Sequence, residues 1–218
     1  MYLHLKKVNQ KKKRSMQSAT FAVEQTYWDR GIQTIAGVDE VGRGAFAGPV
    51  VAAAVILPKT FPSDIGVNDS KLLTAQKREA LAKYIRTCAI SYATATIPVS
   101  VINHYGIARA TQKAFQKAIW LLSASPEHIL IDAFYIKTMS SSFQYPIIKG
   151  DQISISIAAA SIIAKVERDR LMCRYGSIGE RYSFSQNKGY GTKLHREKIR
   201  LHGLSKFHRT SFNLAKFL

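Results

Sequence analysis

Four acidic residues fall where acids are costly. Asp39 and Glu40 sit near the end of an apolar run that begins at Ile35, Asp132 interrupts the end of a second run, HILIDAF, and Asp151 follows a third, YPIIKG. Most of the other acids, such as Glu79, Glu127 and Glu197, fall on polar helix faces or in loops. A buried carboxylate without compensation costs several kcal/mol, so acids appended to core strands call for a cation, a cluster of donors or solvent. A divalent metal meets that need. Oxygen ligands without histidine or thiolate partners select Mg²⁺ or Mn²⁺ over zinc. Two such ions about 3.5–4 Å apart can activate a water and stabilise the leaving oxygen of a phosphodiester.

Beyond Glu40 the chain makes a glycine turn that carries one arginine, Gly42-Arg43-Gly44, and then enters a second apolar run, VVAAAVIL. A plain tight turn beside a solvated strand end explains the same residues without chemistry. A dinucleotide-binding turn does not fit. The glycines run G-x-G-x-x-x-G, and Pro49 with a Val- and Ile-rich run follows where a helix is required.

The surrounding pattern alternates strands and helices. A short helix over Phe21 to Arg30 precedes two antiparallel strands, Ile35 onward and the run to Leu57, joined by the glycine turn. Thr74 caps a helix with Leu81, Tyr84, Ile85 and Cys88 at helical spacing. A third strand spans Ala89 to Val99, and Ser100 caps a long helix that ends before Pro126. Strands follow at His128 to Phe134 and Tyr145 to Lys149, and a helix at Ile153 to Arg174. A glycine loop, Lys188-Gly189-Tyr190-Gly191, leads to a basic helix over Thr192 to Leu201. The fold class is α/β with a mixed sheet. The four acids lie at or near strand ends, where ligands bind in open α/β sheets because helices cover the faces.

Composition narrows the partner. Against 32 lysines and arginines stand 14 acids, a formal net charge of +18 over 218 residues, and such a field attracts polyanions, nucleic acid first among them. Hydrophobic content of 46% excludes wholesale disorder. Cys88 and Cys173 form no C-x-x-C pair, so neither a disulfide framework nor a zinc site is indicated, and both read as core thiols in a reduced, cytoplasmic protein. The apolar run Ile153 to Ala164 is too short for a bilayer span, and the basic N-terminus leads into polar residues instead of a signal-peptide core.

The motifs GVDEVGRG with GPVVAAAVIL, NDSK, LIDAF, IKGD, AAASIIAKVERDR, NKGYGT and HG…HRTSF occur in that order from about residue 33 to 212. Together they resemble the ribonuclease HII family, type 2 ribonuclease H. The resemblance implies a ribonuclease H-like mixed central sheet flanked by helices, with a C-terminal helical extension. It divides the chain into a basic N-terminal arm (1–20), a catalytic domain (21–176) and a substrate-binding extension (177–218). It implies a monomeric endonuclease that cuts the RNA strand of RNA/DNA hybrids and cuts 5′ of ribonucleotides embedded in duplex DNA, leaving 3′-hydroxyl and 5′-phosphate ends, with two Mg²⁺ or Mn²⁺ ions. By motif position Asp39, Glu40, Asp132 and Asp151 are the catalytic, metal-holding carboxylates. Gly42, Arg43 and Gly44 form the turn that tests for the 2′-hydroxyl, Tyr190 packs on the sugar that follows, and Ser70 and Lys71 contact the substrate backbone.

The residues fit those roles on physical grounds. Glycines allow the close backbone approach that testing one hydroxyl needs, and the 2′-hydroxyl is what separates RNA from DNA. A loop anchor is the alternative role for Tyr190. Departures from the family pattern are Leu72 after NDSK, Asn187 before KGY and Leu204 after HG. Asp151 in KGD favours type HII over type HIII. His195, His202 and His208 read as structural or backbone-contacting groups, and Glu167 and Asp169 as surface partners of Lys165, Arg168 and Arg170. Adjacent strand residues face opposite sides, so Asp39 is expected to reach both metals while Glu40 contributes through its carbonyl or an outer-shell contact. Two other readings stay open: a basic nucleic-acid-binding protein without catalysis, and a recombination nuclease or transposase of the same broad fold.

Overall fold

The computed structural model describes residues 19–67, 70, 73–178, 180–214 and 217. Lys71, the N-terminal arm through residue 18, and Asn68, Asp69 and Leu72 of the NDSK loop lie outside the described residues.

After helix α1 (Ala22–Trp28) come strands β1 (Ile35–Val41) and β2 (Val50–Ile56), helix α2 (Ala75–Cys88), strand β3 (Ser91–Ile97), helix α3 (Val99–Trp120), and strands β4 (His128–Asp132) and β5 (Gln144–Ile147). The chain closes with α4 (Ile155–Ile178), the single turn α5 (Phe184–Asn187) and α6 (Lys193–His202). The five strands make one mixed sheet in the order β3-β2-β1-β4-β5. β1 pairs antiparallel with β2 and parallel with β4, β2 pairs antiparallel with β3, and β4 parallel with β5.

Helices cover both faces. β2 reads VVAAAVI and is buried at every position, as a strand covered on both sides must be. On one face Val41, Val51, Ala53 and Val55 meet Ile155, Ala158 and Ile162 of α4. On the other Ala36, Val38, Val50, Ala52 and Ala54 meet Ile102, Ala114 and Phe115 of α3. Gly37 sets how near α4 can come. A Cβ there would fall 2.0 Å from the carbonyl carbon of Ser156, so only glycine lets helix and strand touch backbone to backbone.

Several boundaries differ from the sequence expectation, each for a local reason. β4 stops at Asp132 because Ala133 is left-handed (φ 62°), and β5 stops at Ile147 ahead of left-handed Lys149 (φ 58°). α3 starts just after Pro98, whose carbonyl accepts from Val101 and Ile102, so Ser100 is not its cap; the helix kinks at Gly106 (φ 78°, ψ 161°). α4 runs to Ile178, past the expected end at Arg174. Thr74 does cap α2, accepting from the Lys77 amide at 3.3 Å.

Both ends of the described chain are fastened to this body. Buried Glu24 of α1 accepts from the Ser154 hydroxyl at 2.6 Å and the Ser156 amide at 3.0 Å, tying α1 to the start of α4. At the other end Tyr182, Phe184 and Ile199 share a cluster with Ala47 and Met172. His195 and His208 are both buried, with ring nitrogens 3.1 Å apart, which gives them a structural role. Cys173 is exposed and Cys88 half-buried, so neither is a core thiol. Among the described residues no helix is long and apolar enough to cross a membrane.

Candidate active site

Strand register brings the acids together. The β1–β4 ladder ends with Val38 opposite Ile131, so Asp39 and Asp132 each stand one residue past the last pair, at the same end of neighbouring parallel strands. Side-chain alternation then sorts them. Asp39 takes a hydrogen bond from Ser161 of α4 and so faces that helix. Asp132 shares the α4 face with Leu130, which packs on Ile157. Glu40 follows Val38 toward the α3 face and pairs with Arg43, Nη1 to Oε1 3.6 Å.

An open cavity of about 380 Å³ lies at this end of the sheet, lined by Asp39, Glu40, Val41, Gly42, Arg43, Ser70, Asp132, Ser161, Lys165 and Tyr190. Of the expected residues, Gly44 and Asp151 do not line it. Asp151 is buried in the 3₁₀ turn Gly150–Gln152, whose first amide donates to Asp132 Oδ1 at 2.7 Å. Ser70 is held between helices: its hydroxyl lies 3.0 Å from that of Ser161, and its carbonyl accepts from Arg78 at 2.7 Å.

The electrostatics of the pocket are those of crowded acids. Burial, then the charges of Glu40 and Asp132, push the Asp39 carboxyl well above its ordinary range, against hydrogen bonds from Ser161 and the Glu40 amide. Burial raises Glu40 to about 7; Arg43 opposes the rise and Asp132 adds to it. Glu40 Oε2 is buried with no hydrogen-bond partner. Among the described residues no three His, Cys, Asp or Glu side chains close into a ready-made metal cage. The donor set still fits a hard divalent cation, since it is all oxygen, mutually repelling, and includes an orphaned buried carboxylate oxygen.

The turn and the tyrosine loop are pinned by two arginines that sequence reasoning missed. Arg168 is fully buried and is no surface ion-pair partner. It donates to the carbonyls of Pro49 (3.0 Å), Ala47 (3.2 Å) and Lys188 (2.9 Å), and its guanidinium lies 5.2 Å from the Tyr190 ring. Gly42 (φ 99°) rests on the same side chain, where a Cβ would sit 2.0 Å from Arg168 Nε. Arg209, also fully buried, donates to Gly48 (3.0 and 2.9 Å), Pro49 (3.2 Å) and Arg43 (2.7 Å) carbonyls. Burial and the nearby charge of Arg168 lower it to about 9. The Tyr190 loop is joined directly to the turn as well, because Gly189 O accepts from Phe46 (2.8 Å) and Ala47 (3.2 Å).

Lys165, whose ammonium is 2.7 Å from Asp169 and 5.9 Å from the Tyr190 ring, lines the cavity too. Burial lowers its pKa, and Asp169 opposes that. Asp169 thus partners Lys165 as expected, whereas Arg170 pairs with Glu79. A signal for Arg168, and for Ser161 and Lys165 beside it, was available: the three recur at i, i+4 and i+7, one stripe of α4, whereas nothing comparable marked Arg209.

The chain matches a model of the ribonuclease HII family over residues 36–215. It is 48% identical over 190 residues to the ribonuclease HII of Caldanaerobacter subterraneus subsp. tengcongensis, covering 87% of this chain and 78% of that one. Ribonuclease H2 from Pyrococcus horikoshii superposes with a TM-score of 0.68 at 24% identity, over 84% of this chain and 95% of its own. A crystal structure of Bst ribonuclease HIII in complex with Mn²⁺ superposes with a TM-score of 0.67 at 22% identity, over 85% and 68%. At those identities the two structures speak to the fold.

Proposed function

The chain belongs to the ribonuclease HII family and is a metal-dependent endoribonuclease; from that premise we propose that it hydrolyses the RNA strand of RNA/DNA hybrids and cuts 5′ of ribonucleotides embedded in duplex DNA. The observation that carries the proposal is the meeting, around one cavity, of Asp39, Glu40 and Asp132 with Gly42, Arg43 and Tyr190. Hydrolysing acids and a candidate 2′-hydroxyl test thus share one opening.

In this reading Asp39 and Asp132 would hold the divalent ions, Mg²⁺ or Mn²⁺, and Glu40 would act through its carbonyl or an outer-shell contact. Asp151, outside the cavity in the turn whose amide bonds Asp132, would join them only if that turn opens toward the site. Bound there, the ions supply an activated water and charge neutralisation at the scissile phosphate. The water oxygen bonds to phosphorus as the bond from phosphorus to the 3′-oxygen breaks; the water gives up one proton and the departing 3′-oxygen takes one, leaving a 3′-hydroxyl and a 5′-phosphate. The Gly42-Arg43-Gly44 backbone reads the 2′-hydroxyl, and Tyr190, with the Arg168 guanidinium close to its ring, packs on the next sugar. Ser70 and Lys71 meet the substrate backbone. The enzyme works as a monomer in the cytoplasm, where incision beside an embedded ribonucleotide begins its excision repair.

The test is a panel of four substrates, each with Mg²⁺ and with Mn²⁺: plain duplex DNA, duplex DNA with one ribonucleotide, a full RNA/DNA hybrid, and a branched junction. Cleavage of the second and third is expected. Cutting only the junction or only plain DNA overturns the proposal, and duplex binding that survives in EDTA without any cutting identifies a binding protein instead.

A further inference from the structure

Phe134 is an exposed aromatic that the fold does not need and that the structure goes to some expense to aim. It is 42% exposed and belongs to none of the hydrophobic clusters of the described residues. Ala133 before it adopts φ 62°, a conformation that L side chains resist. That turn is fixed by two hydrogen bonds, Ala133 N to Ile147 O at 3.0 Å and Phe134 N to Asp132 O at 2.8 Å. One strained residue therefore ends β4 at Asp132 and turns the next side chain toward Arg43, which lines the cavity.

The ring arrives beneath Arg43, whose guanidinium carbon lies 4.5 Å from the ring centroid. Arg43 is then held three ways: its carbonyl by Arg209 at 2.7 Å, one guanidinium nitrogen 3.6 Å from Glu40, and the guanidinium carbon over the Phe134 ring. Its side chain remains 35% exposed, open to an arriving ligand. A guanidinium resting on an aromatic face keeps its N–H donors free at the edge, in the fork that matches a phosphate. Without the ring, the long arginine side chain is free to sample other rotamers or to close fully on Glu40.

We propose that Phe134 is a positioning residue that holds Arg43 ready to bind a phosphate of the nucleic-acid substrate. The proposal rests on the function given above. Its test is a double-mutant cycle with Phe134→Leu, Arg43→Ala and the pair, with Phe134→Tyr as the conservative variant. KM and kcat are measured on duplex DNA with one ribonucleotide, and Kd for a labelled RNA/DNA hybrid in EDTA. Phe134→Leu should raise KM and Kd about three- to fivefold, the worth of a half-exposed cation–π contact. Its effect on kcat should be smaller, Phe134→Tyr should recover the loss, and in the Arg43→Ala background Phe134→Leu should change neither KM nor Kd. Unchanged KM and Kd in Phe134→Leu, or the same loss in both backgrounds, overturns the proposal. A wild-type enzyme that cuts no member of the substrate panel refutes the function instead, and the Kd cycle still decides the role of Phe134.

Discussion

Asp39 and Glu40 are neighbours in a strand without a bulge, paired to Ala53 and Ala52, and so face α4 and α3 respectively. That geometry makes their contributions unequal. Asp39→Asn should abolish cleavage and weaken Mn²⁺ binding in calorimetry. Glu40→Gln should cost about 10- to 100-fold, the usual range for a group outside the first ligand shell. Equal losses in both activity and metal affinity would sink the asymmetry. The same pair predicts how metal-free stability depends on pH. Glu40 ionises at about 7 in the fold against 4.5 unperturbed, so the folded state binds the extra proton between those values. Its stabilising contribution is complete below 4.5 and is lost as pH rises through about 7. Asp39, raised as well, acts in the same direction. In EDTA, Glu40→Gln should therefore gain thermal stability over wild type as pH rises across that window, and saturating Mn²⁺ should close the gap. Parallel melting curves for the two proteins at every pH would contradict it.

At the level of elements, the site is a joint between β1, the 42–49 segment, α4 and the C-terminal tail. Arg168 and Arg209 satisfy its carbonyls, so the turn's shape is set from two remote parts of the sequence. Gly42→Ala should be damaging on two counts, a positive φ of 99° and a Cβ driven into Arg168. A loss of about 1–3 kcal/mol in unfolding free energy is expected from the overpacking, together with poorer discrimination between ribonucleotide- and deoxynucleotide-containing duplexes. Gly44→Ala provides the contrast, since a Cβ there meets nothing within 4 Å and stability should hold. Equal stability of the two variants would show that the Arg168 contact does not constrain the turn.

For the whole molecule the controlling quantity is charge. A net +18 gathered on a chain with 14 acids should make duplex binding steeply dependent on salt, because phosphate contacts release counterions. Between 50 and 200 mM salt, affinity for a hybrid should fall about a hundredfold or more, which corresponds to roughly four phosphate contacts. A flat titration would remove nucleic acid as the reason for the charge. The sequence by itself determined the alternation of strands and helices, the antiparallel first pair, the acids at strand ends and the polyanionic class of partner. These are legible because periodicity, turn residues and the cost of a buried charge act locally. Only the tertiary structure decided that Asp39 and Asp132 stand side by side past the end of one ladder while Asp151 lies outside the cavity. It alone revealed Arg168 and Arg209 as internal struts, and Phe134 under Arg43. An arginine in a sequence reads as surface, since its burial here depends chiefly on main-chain carbonyls of the 43–49 segment, more than a hundred residues away, and those contacts exist only once the chain has folded.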